Sequence, residues 1–562
     1  MSHDRRWQIF PAQLELSTEI SQRLGCHPLV AQLLLNRKLS SLSDLRCFLD
    51  PEMRPDSVFP DAVMSPVLAL IHAAVSSGKR ILVYADYDVD GMTSTALMMP
   101  FLQSLGAKPV FKLPHRFKDG YGLSMAQVAW MQTFDMVITL DCGITNVTEI
   151  TAIVANGKTE VVVLDHHTIP DPMPPAHGVL NPKCLPPAHP LYGLCTAGLV
   201  YVFMKAYCQA YGHEYPLYAQ LDLVALGTLA DVAPLIGDNR RFVSQGLKVL
   251  SQRRRIGIDA LLREAQFDQS YVSARDVGFM IAPRLNAAGR LADPMFGAQL
   301  LMATDVGEAE SLAKALCQMN VDRQAIGQAV LDESLKQIKT QGLASDPVLV
   351  LHGMGWHAGV IGIAASKLVE QFGRPVVMIS DTGELGRGSA RTCGEVDIYR
   401  LLSAGRALFS KFGGHKEAAG FSILSERIPE LRRLLVAHAR ETLSPDALSP
   451  IVQIDAMLSP SDVGLPLVEA LQQLAPFGAA NPAPIFYTNQ WTPIDMRLVG
   501  KGRHVKVTFS TMSGDRVVDA IGFGLAHKLP ALQQKNPELA FHLEVNTWGG
   551  GSLPQFQLVD VR

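Results

Sequence analysis

Three short apolar runs in the first half of the chain each end on acidic residues, and no other feature constrains the fold as tightly. Ile81–Ala85 (ILVYA) runs into Asp86-Tyr87-Asp88-Val89-Asp90-Gly91. Met136–Leu140 (MVITL) runs into Asp141-Cys142-Gly143, and Val161–Leu164 (VVVL) into Asp165-His166-His167. Runs this short and this apolar suit strands buried on both faces. Helical stretches at 95–105 and 146–155 separate them, so residues 65–235 read as repeated βα units. Such alternation predicts a parallel sheet with helices on both faces, whose ligands bind outside the carboxyl ends of the strands. A further apolar stretch, in Leu226-Gly-Thr-Leu-Ala-Asp231, delivers one more carboxylate.

Aspartate is depleted in strands and is seldom buried unpaired. Asp86, Asp88, Asp90, Asp141, Asp165, His166 and His167 at one sheet edge would repel one another and lose solvation unless cations neutralise them. Carboxylates with one or two imidazoles suit Mn²⁺ or Mg²⁺ better than a structural zinc. An excess of carboxylates, one of them able to bridge, matches two-metal phosphoester hydrolysis. Each piece alone has a plainer explanation. The D-x-D-x-D-G run resembles a calcium loop, but its twelfth position is Leu97 and a strand precedes it. Asp141-Cys142-Gly143 alone could be a turn, and the tandem histidines could be one packed and one exposed ring. Their shared position at strand ends favours a metal centre.

The formal net charge is −3, so a nucleic-acid site must be a local patch and not a whole-chain basic excess. With 48% apolar and 18% charged residues, wholesale disorder is excluded. No apolar run reaches the ~18 residues of a membrane helix, and no secretory signal is readable. The 8 cysteines include no C-x-x-C and no zinc-finger spacing, which reads as reduced thiols in a cytoplasmic protein. The chain divides into a helical N-terminal segment (1–60) and an α/β domain with a helical extension (61–305). A connecting helix (306–345), a second α/β domain (346–445) and a β-rich domain (451–562) follow.

The order D-x-D-x-D-G, D-C-G, D-H-H and G-T-L-A-D-V-A-P resembles the DHH phosphoesterase superfamily, in particular its branch of single-strand-specific DNA exonucleases. Pro283-Arg-Leu-Asn-Ala-Ala-Gly-Arg-Leu291 is similar to that branch's arginine motif. Trp356–Gly362, Gly388–Arg391 and Phe412–Gly420 resemble its DHHA1 domain, and the last strands its OB-fold barrel. The resemblance implies a parallel-sheet DHH domain and an α/β DHHA1 domain joined by a long helix, with a cleft between them. It implies stepwise 5′→3′ hydrolysis of single-stranded DNA to nucleotide 5′-monophosphates with two Mn²⁺ or Mg²⁺ ions. Carried over, Asp86, Asp88, Asp90, Asp141, His166 and Asp231 are metal ligands, with Asp141 the bridge. Asp165 orients a histidine, and His167 contacts the scissile phosphate or protonates the leaving oxygen. Some superfamily members carry a metal-binding histidine where this chain has Tyr84, so one metal here relies on Asp86 or is held loosely.

On the substrate side, Arg284, Asn286 and Arg290 form a polar set in a helical segment. Ser389 and Arg391 among glycines, Gly414 with His415, and His357 supply donors where a backbone can approach a phosphate. Taken alone, without the resemblance, His415 and His357 each read better as a packed core residue. In the barrel, Val505, Val507 and Phe509 alternate with His504, Lys506 and Thr508, so Lys506 and Arg503 mark a cationic face. The basic run Arg253–Arg255 is either a phosphate track or a solvated helix end. Expected partners are single-stranded DNA, a single-strand-binding protein and a helicase, with the chain itself a monomer. The competing activity is a related phosphodiesterase or phosphatase on short oligonucleotides, cyclic dinucleotides or bisphosphate nucleotides.

Overall fold

The computed structural model describes residues 5–39, 41–116, 119–120, 122–546 and 552–562. The first four residues of the expected N-terminal segment, and 547–551 of the expected barrel, lie outside the described residues. The chain forms two compact units. One comprises Arg37–Val321 with Gln472–Ala483, and the other the residues up to Asn36, Asp322–Leu471 and Pro484–Arg562. The helical N-terminal expectation needs correction. The chain opens with a strand, β1 (Arg6–Ile9), paired in parallel with Ile451–Ile454. Helices Leu14–Leu24, Pro28–Asn36 and Leu42–Leu49 follow.

The first unit is built on five parallel strands. They are β2 (Ile81–Ala85), β3 (Val110–Lys112), β4 (Met136–Leu140), β5 (Glu160–Leu164) and β6 (Gly178–Leu180), in spatial order β3-β2-β4-β5-β6. The three expected strands are β2, β4 and β5, and every residue of β2 and β4 is buried. The chain leaves β2 toward β3 on one side and returns to β4 on the other. That reversal opens a crevice above the carboxyl ends of β2 and β4. Helices Val89–Ser104, Thr196–Tyr211 and Leu221–Ala230 pack around a core that includes Met92, Phe101, Phe203 and Leu226. The Arg253–Arg255 run is largely spent on structure. Arg255 pairs with buried Asp222 at 2.8 Å, and Arg253 donates to the carbonyls of Phe267 and Gln269. Buried Arg240 donates to the carbonyls of Phe48, Leu474 and Ala475, which ties the 472–483 segment into this unit.

The connecting helix runs Val306–Thr340, its first half in one unit and its second in the other. In the second unit β7 (Leu349–Met354), β8 (Val376–Asp381), β9 (Leu385–Arg391), β10 (Phe409–Gly414) and β11 (Ala418–Leu424) form a sheet in the order β10-β11-β9-β8-β7. A seven-stranded, mainly antiparallel sheet follows between Ala456 and Val561. There Val505, Val507 and Phe509 are fully buried, as the alternation predicts. Among the described residues no helix is long and apolar enough to cross a membrane.

Candidate active site

The strand ends of β2, β4 and β5 gather the acidic residues, and the helices that follow orient them. Asp88 caps the Val89–Ser104 helix, its Oδ1 accepting from the N–H groups of Asp90 (2.9 Å) and Gly91 (3.2 Å). Gly91 is required here, because a Cβ would lie 2.2 Å from the Asp86 carbonyl oxygen. Buried Asp90 turns to the start of the Thr196–Tyr211 helix. Its two oxygens accept from the N–H groups of Thr196 (2.7 Å) and Ala197 (2.8 Å), where the helix dipole favours a negative charge. Asp141 leaves β4 in the left-handed region (φ 61°), and Thr196 Oγ1 donates to its Oδ1 at 3.1 Å.

His166 Nε2 lies 3.2 Å from Asp141 Oδ1 and 3.9 Å from Asp90 Oδ2, and its Nδ1 lies 3.8 Å from Asp231 Oδ2. Asp231 follows the Leu221–Ala230 helix at its C-terminus. Asp165 turns away from this group. It accepts from the Ile144 N–H (3.0 Å) and from His167, through the backbone N–H (3.1 Å) and Nδ1 (2.7 Å). The histidine it orients is therefore His167.

Three sets of donor atoms each lie within 4.8 Å of one another: Asp86, Asp88 and Asp141; Asp90, His166 and Asp231; and Asp141, His166 and His167. Asp86 Oδ1 is buried and has no hydrogen-bond partner among the described residues, an arrangement that costs energy unless a cation meets it. Burial first, and the neighbouring carboxylates second, push the Asp86, Asp88 and Asp141 carboxyls above the ordinary range. The same causes take Asp231 up to about 8. Burial lowers His166, which keeps its imidazole neutral, as a metal ligand must be. His167 moves the other way. Burial pulls it down, but the Asp165 hydrogen bond and charge outweigh that and hold it at about 9. The residues thus fit divalent cations, with Asp141 common to two donor sets.

Tyr84 does not replace the missing histidine. Its single hydroxyl proton is shared between Gln127 Oε1 (2.8 Å) and Gly122 O (3.1 Å). Beside the acids a pocket is lined by Asp86, Tyr87, Asp88, Arg116, Asn286 and Arg290. Arg284 is not in it. The Arg284 guanidinium donates to Met280 O and lines a separate pocket with Glu264, Lys314 and Cys317. Sequence reasoning missed Arg116, which stands over the Tyr87 ring at 5.3 Å, and Thr196. A basic residue shortly after a strand adjoining β2 was a usable signal for Arg116. Thr196 carried none.

In the second unit, Arg391 Nη1 donates to Ser389 Oγ at 3.1 Å. A Cβ on Gly362, at the start of the Ile361–Phe372 helix, would lie 2.8 Å from Arg391 Nη2 and 2.9 Å from Ser389 Oγ. Arg391 pairs with Ala418, and Gly414 (φ +146°) with Ala419, so the β10–β11 turn bearing exposed His415 adjoins Arg391. His357 lies in the loop before the same helix, its Nδ1 accepting from the Gly359 N–H. In the barrel sheet Lys506 Nζ lies 3.6 Å from Asp519 Oδ2, and Arg503 is exposed in the preceding turn.

Three family models match the chain: "DHH family, N-terminal domain" over 80–228, "DHHA1 domain" over 345–441 and "RecJ OB domain" over 454–560. Fold, acid cluster and this domain order define a phosphoesterase of the DHH class. The chain is 32% identical to the single-stranded-DNA-specific exonuclease RecJ of Bacillus subtilis, over 99% of this chain and 70% of that one. It is 33% identical to the RecJ of Escherichia coli, over 93% and 94%. The crystal structure of Thermus thermophilus RecJ in complex with Mn²⁺ superimposes with a TM-score of 0.83 at 30% identity, covering 99% of this chain and 79% of that one. The chain belongs to the RecJ family of single-stranded-DNA-specific exonucleases.

Proposed function

We propose that the protein is a metal-dependent exonuclease that removes nucleotide 5′-monophosphates stepwise, 5′→3′, from single-stranded DNA during repair and recombination. The observation that carries this reading is Asp141, which belongs to two donor sets beside a buried, unpartnered Asp86 oxygen. Asp86, Asp88 and Asp141 would hold one Mn²⁺ or Mg²⁺, and Asp90, His166 and Asp231 a second, with Asp141 also within reach of His166. Metals held there would supply an activated water and offset the charge that develops on the phosphate. The remaining work falls to the chain. Asp165 keeps His167 protonated at neutral pH and fixes its ring through Nδ1, so the other ring nitrogen donates to the leaving oxygen. Arg116, Asn286 and Arg290 orient the scissile phosphate. Ser389, Arg391, Gly414, His415 and His357 grip the strand end, and Arg503 and Lys506 the strand beyond it. Arg284 has no part in this pocket.

The protein acts as a cytoplasmic monomer, on strands that a helicase and a single-strand-binding protein supply. The test is a long strand labelled at one end, incubated with Mn²⁺, Mg²⁺ or chelator, with Asp141→Ala run alongside. Metal-dependent mononucleotides from the 5′ end, absent in the variant, are expected. An intact long strand alongside cleaved dinucleotides would refute the reading.

A further inference from the structure

A second depression in the catalytic unit draws two of its walls from the same chain segments as the acidic pocket, and Phe477–Ala479 with Pro482 and Ala483 form its third. Within Leu229–Ala233, Ala230 lines the pocket, while Leu229, Val232 and Ala233 line the groove. Between 274 and 290, Asn286, Gly289 and Arg290 line the pocket, while Ala274, Arg275 and Phe279 line the groove. The groove is apolar, and two of its side chains face solvent, Phe279 at 81% and Val232 at 69% exposure, while Ala233 and Leu235 are buried. Phe279 rides on a π-helical turn, Val277–Ile281, a geometry that recurs at functional sites. Val232 sits in the left-handed region (φ 57°), an outlier for a β-branched residue, immediately after Asp231. An exposed ring beside a strained residue that follows a candidate metal ligand marks a surface shaped for an occupant.

We propose that this groove holds one unpaired nucleobase of the substrate strand, stacked on Phe279, with Arg275 serving the adjoining phosphate. The inference rests on the exonuclease reading. Continuity with the acidic pocket selects the occupant. A strand whose phosphate lies at the acids must lay a neighbouring base somewhere beside it, and aromatic rings stack any base face irrespective of sequence. A paired base has its partner on the edge that must enter, so the groove also favours single strands.

The test uses the full chain, with Phe279→Ala and Phe279→Tyr, on strands carrying one abasic residue at successive positions from the labelled end, with Mn²⁺. Wild type should lose about tenfold in kcat/KM at one position. Phe279→Ala should lose about tenfold on intact strands and nothing more at that position, and Phe279→Tyr should restore both behaviours. In chelator, 2-aminopurine at the same position should be quenched by wild type and not by Phe279→Ala. Phe279→Ala indistinguishable from wild type on intact strands, or still sensitive to the abasic position, overturns the proposal and gives the groove to another occupant. Wild type that releases no mononucleotide from any strand defeats the exonuclease reading itself, a distinct result.

Discussion

Gly227 offers a direct test of how the acidic cluster is held. It lies buried in the Leu221–Ala230 helix, and an alanine Cβ there would stand 2.6 Å from Ala197 Cβ, 2.6 Å from Thr93 Oγ1 and 2.9 Å from Asp90 Oδ1. Carbon atoms pack at roughly 3.5–4.0 Å, so the start of the Thr196–Tyr211 helix would retreat by about 1 Å. The N–H bonds from Thr196 and Ala197 to Asp90, now 2.7 and 2.8 Å, would then pass beyond hydrogen-bond range. Alanine contributes about 0.5–1 kcal/mol of helix stability over glycine. Overpacking costs about 1–3 kcal/mol, and a lost hydrogen bond to a charged group about 1.5–3 kcal/mol. With both bonds lost, Gly227→Ala should therefore lose at least about 3 kcal/mol in denaturant unfolding and bind Mn²⁺ roughly 10- to 100-fold more weakly by titration of free Mn²⁺. Gly327 is the control. In the long helix it has nothing within 4 Å of its Cβ position, so Gly327→Ala should be neutral or stabilising. A Gly227→Ala protein as stable as wild type, with unchanged Mn²⁺ affinity, would refute the argument.

Three further outcomes follow from the same geometry. Thr196→Val removes the hydroxyl that donates to Asp141 and keeps the backbone N–H to Asp90; Mn²⁺ affinity should fall about tenfold and return in Thr196→Ser. Because burial and mutual repulsion raise the Asp86, Asp141 and Asp231 carboxyls when no metal is bound, Mn²⁺ uptake should release protons. Affinity should then rise with pH, and the calorimetric binding heat should vary with the ionisation enthalpy of the buffer; a buffer-independent heat would contradict this. Asp165→Asn should let His167 fall from about 9 toward its ordinary 6.5. The alkaline limb of kcat/KM would move down with it, a loss of roughly thirtyfold at pH 8 from the protonated fraction alone.

How much of this was legible in the sequence depended on how local each signal is. Strand runs followed by acids placed β2, β4 and β5 and their edge, because a buried parallel strand needs a continuous apolar run. The proline-free stretch from 306 to 340 became one helix, and alternation at 505–509 set the barrel's buried face. Arg6–Ile9 was read as part of a helical segment because a four-residue strand owes its existence to Ile451–Ile454, far along the chain. Arg284 was grouped with Asn286 and Arg290 by composition. At about 100° per residue the last two share a helix face and Arg284 falls on another, so helical geometry already separated them. The contacts of Asp90 with Thr196 join segments about a hundred residues apart, and no periodicity reports such a pairing.

The two ends of helices used at this site carry opposite energetics. Asp90 meets helix N–H groups, so the fold itself accommodates its charge, whereas Asp231 follows a helix C-terminus, where the dipole opposes a carboxylate. Burial first, and the neighbouring Asp90 and Asp88 carboxylates second, raise Asp231 from 3.8 to about 8, the reverse of a salt-bridged aspartate. Between those values the unfolded chain has released a proton that the folded chain still holds. Metal-free stability must then fall as pH rises from about 4 to about 8, by at most about 1.4 kcal/mol per unit from this group and less for its partial exposure, and level off above. Asp231→Asn removes that contribution. It should flatten the pH dependence of metal-free unfolding and raise stability at pH 8, while weakening Mn²⁺ binding at the Asp90–His166–Asp231 set. Equal slopes in variant and wild type would mean that Asp231 is ionised without metal, and that the fold, rather than a cation, sustains its charge.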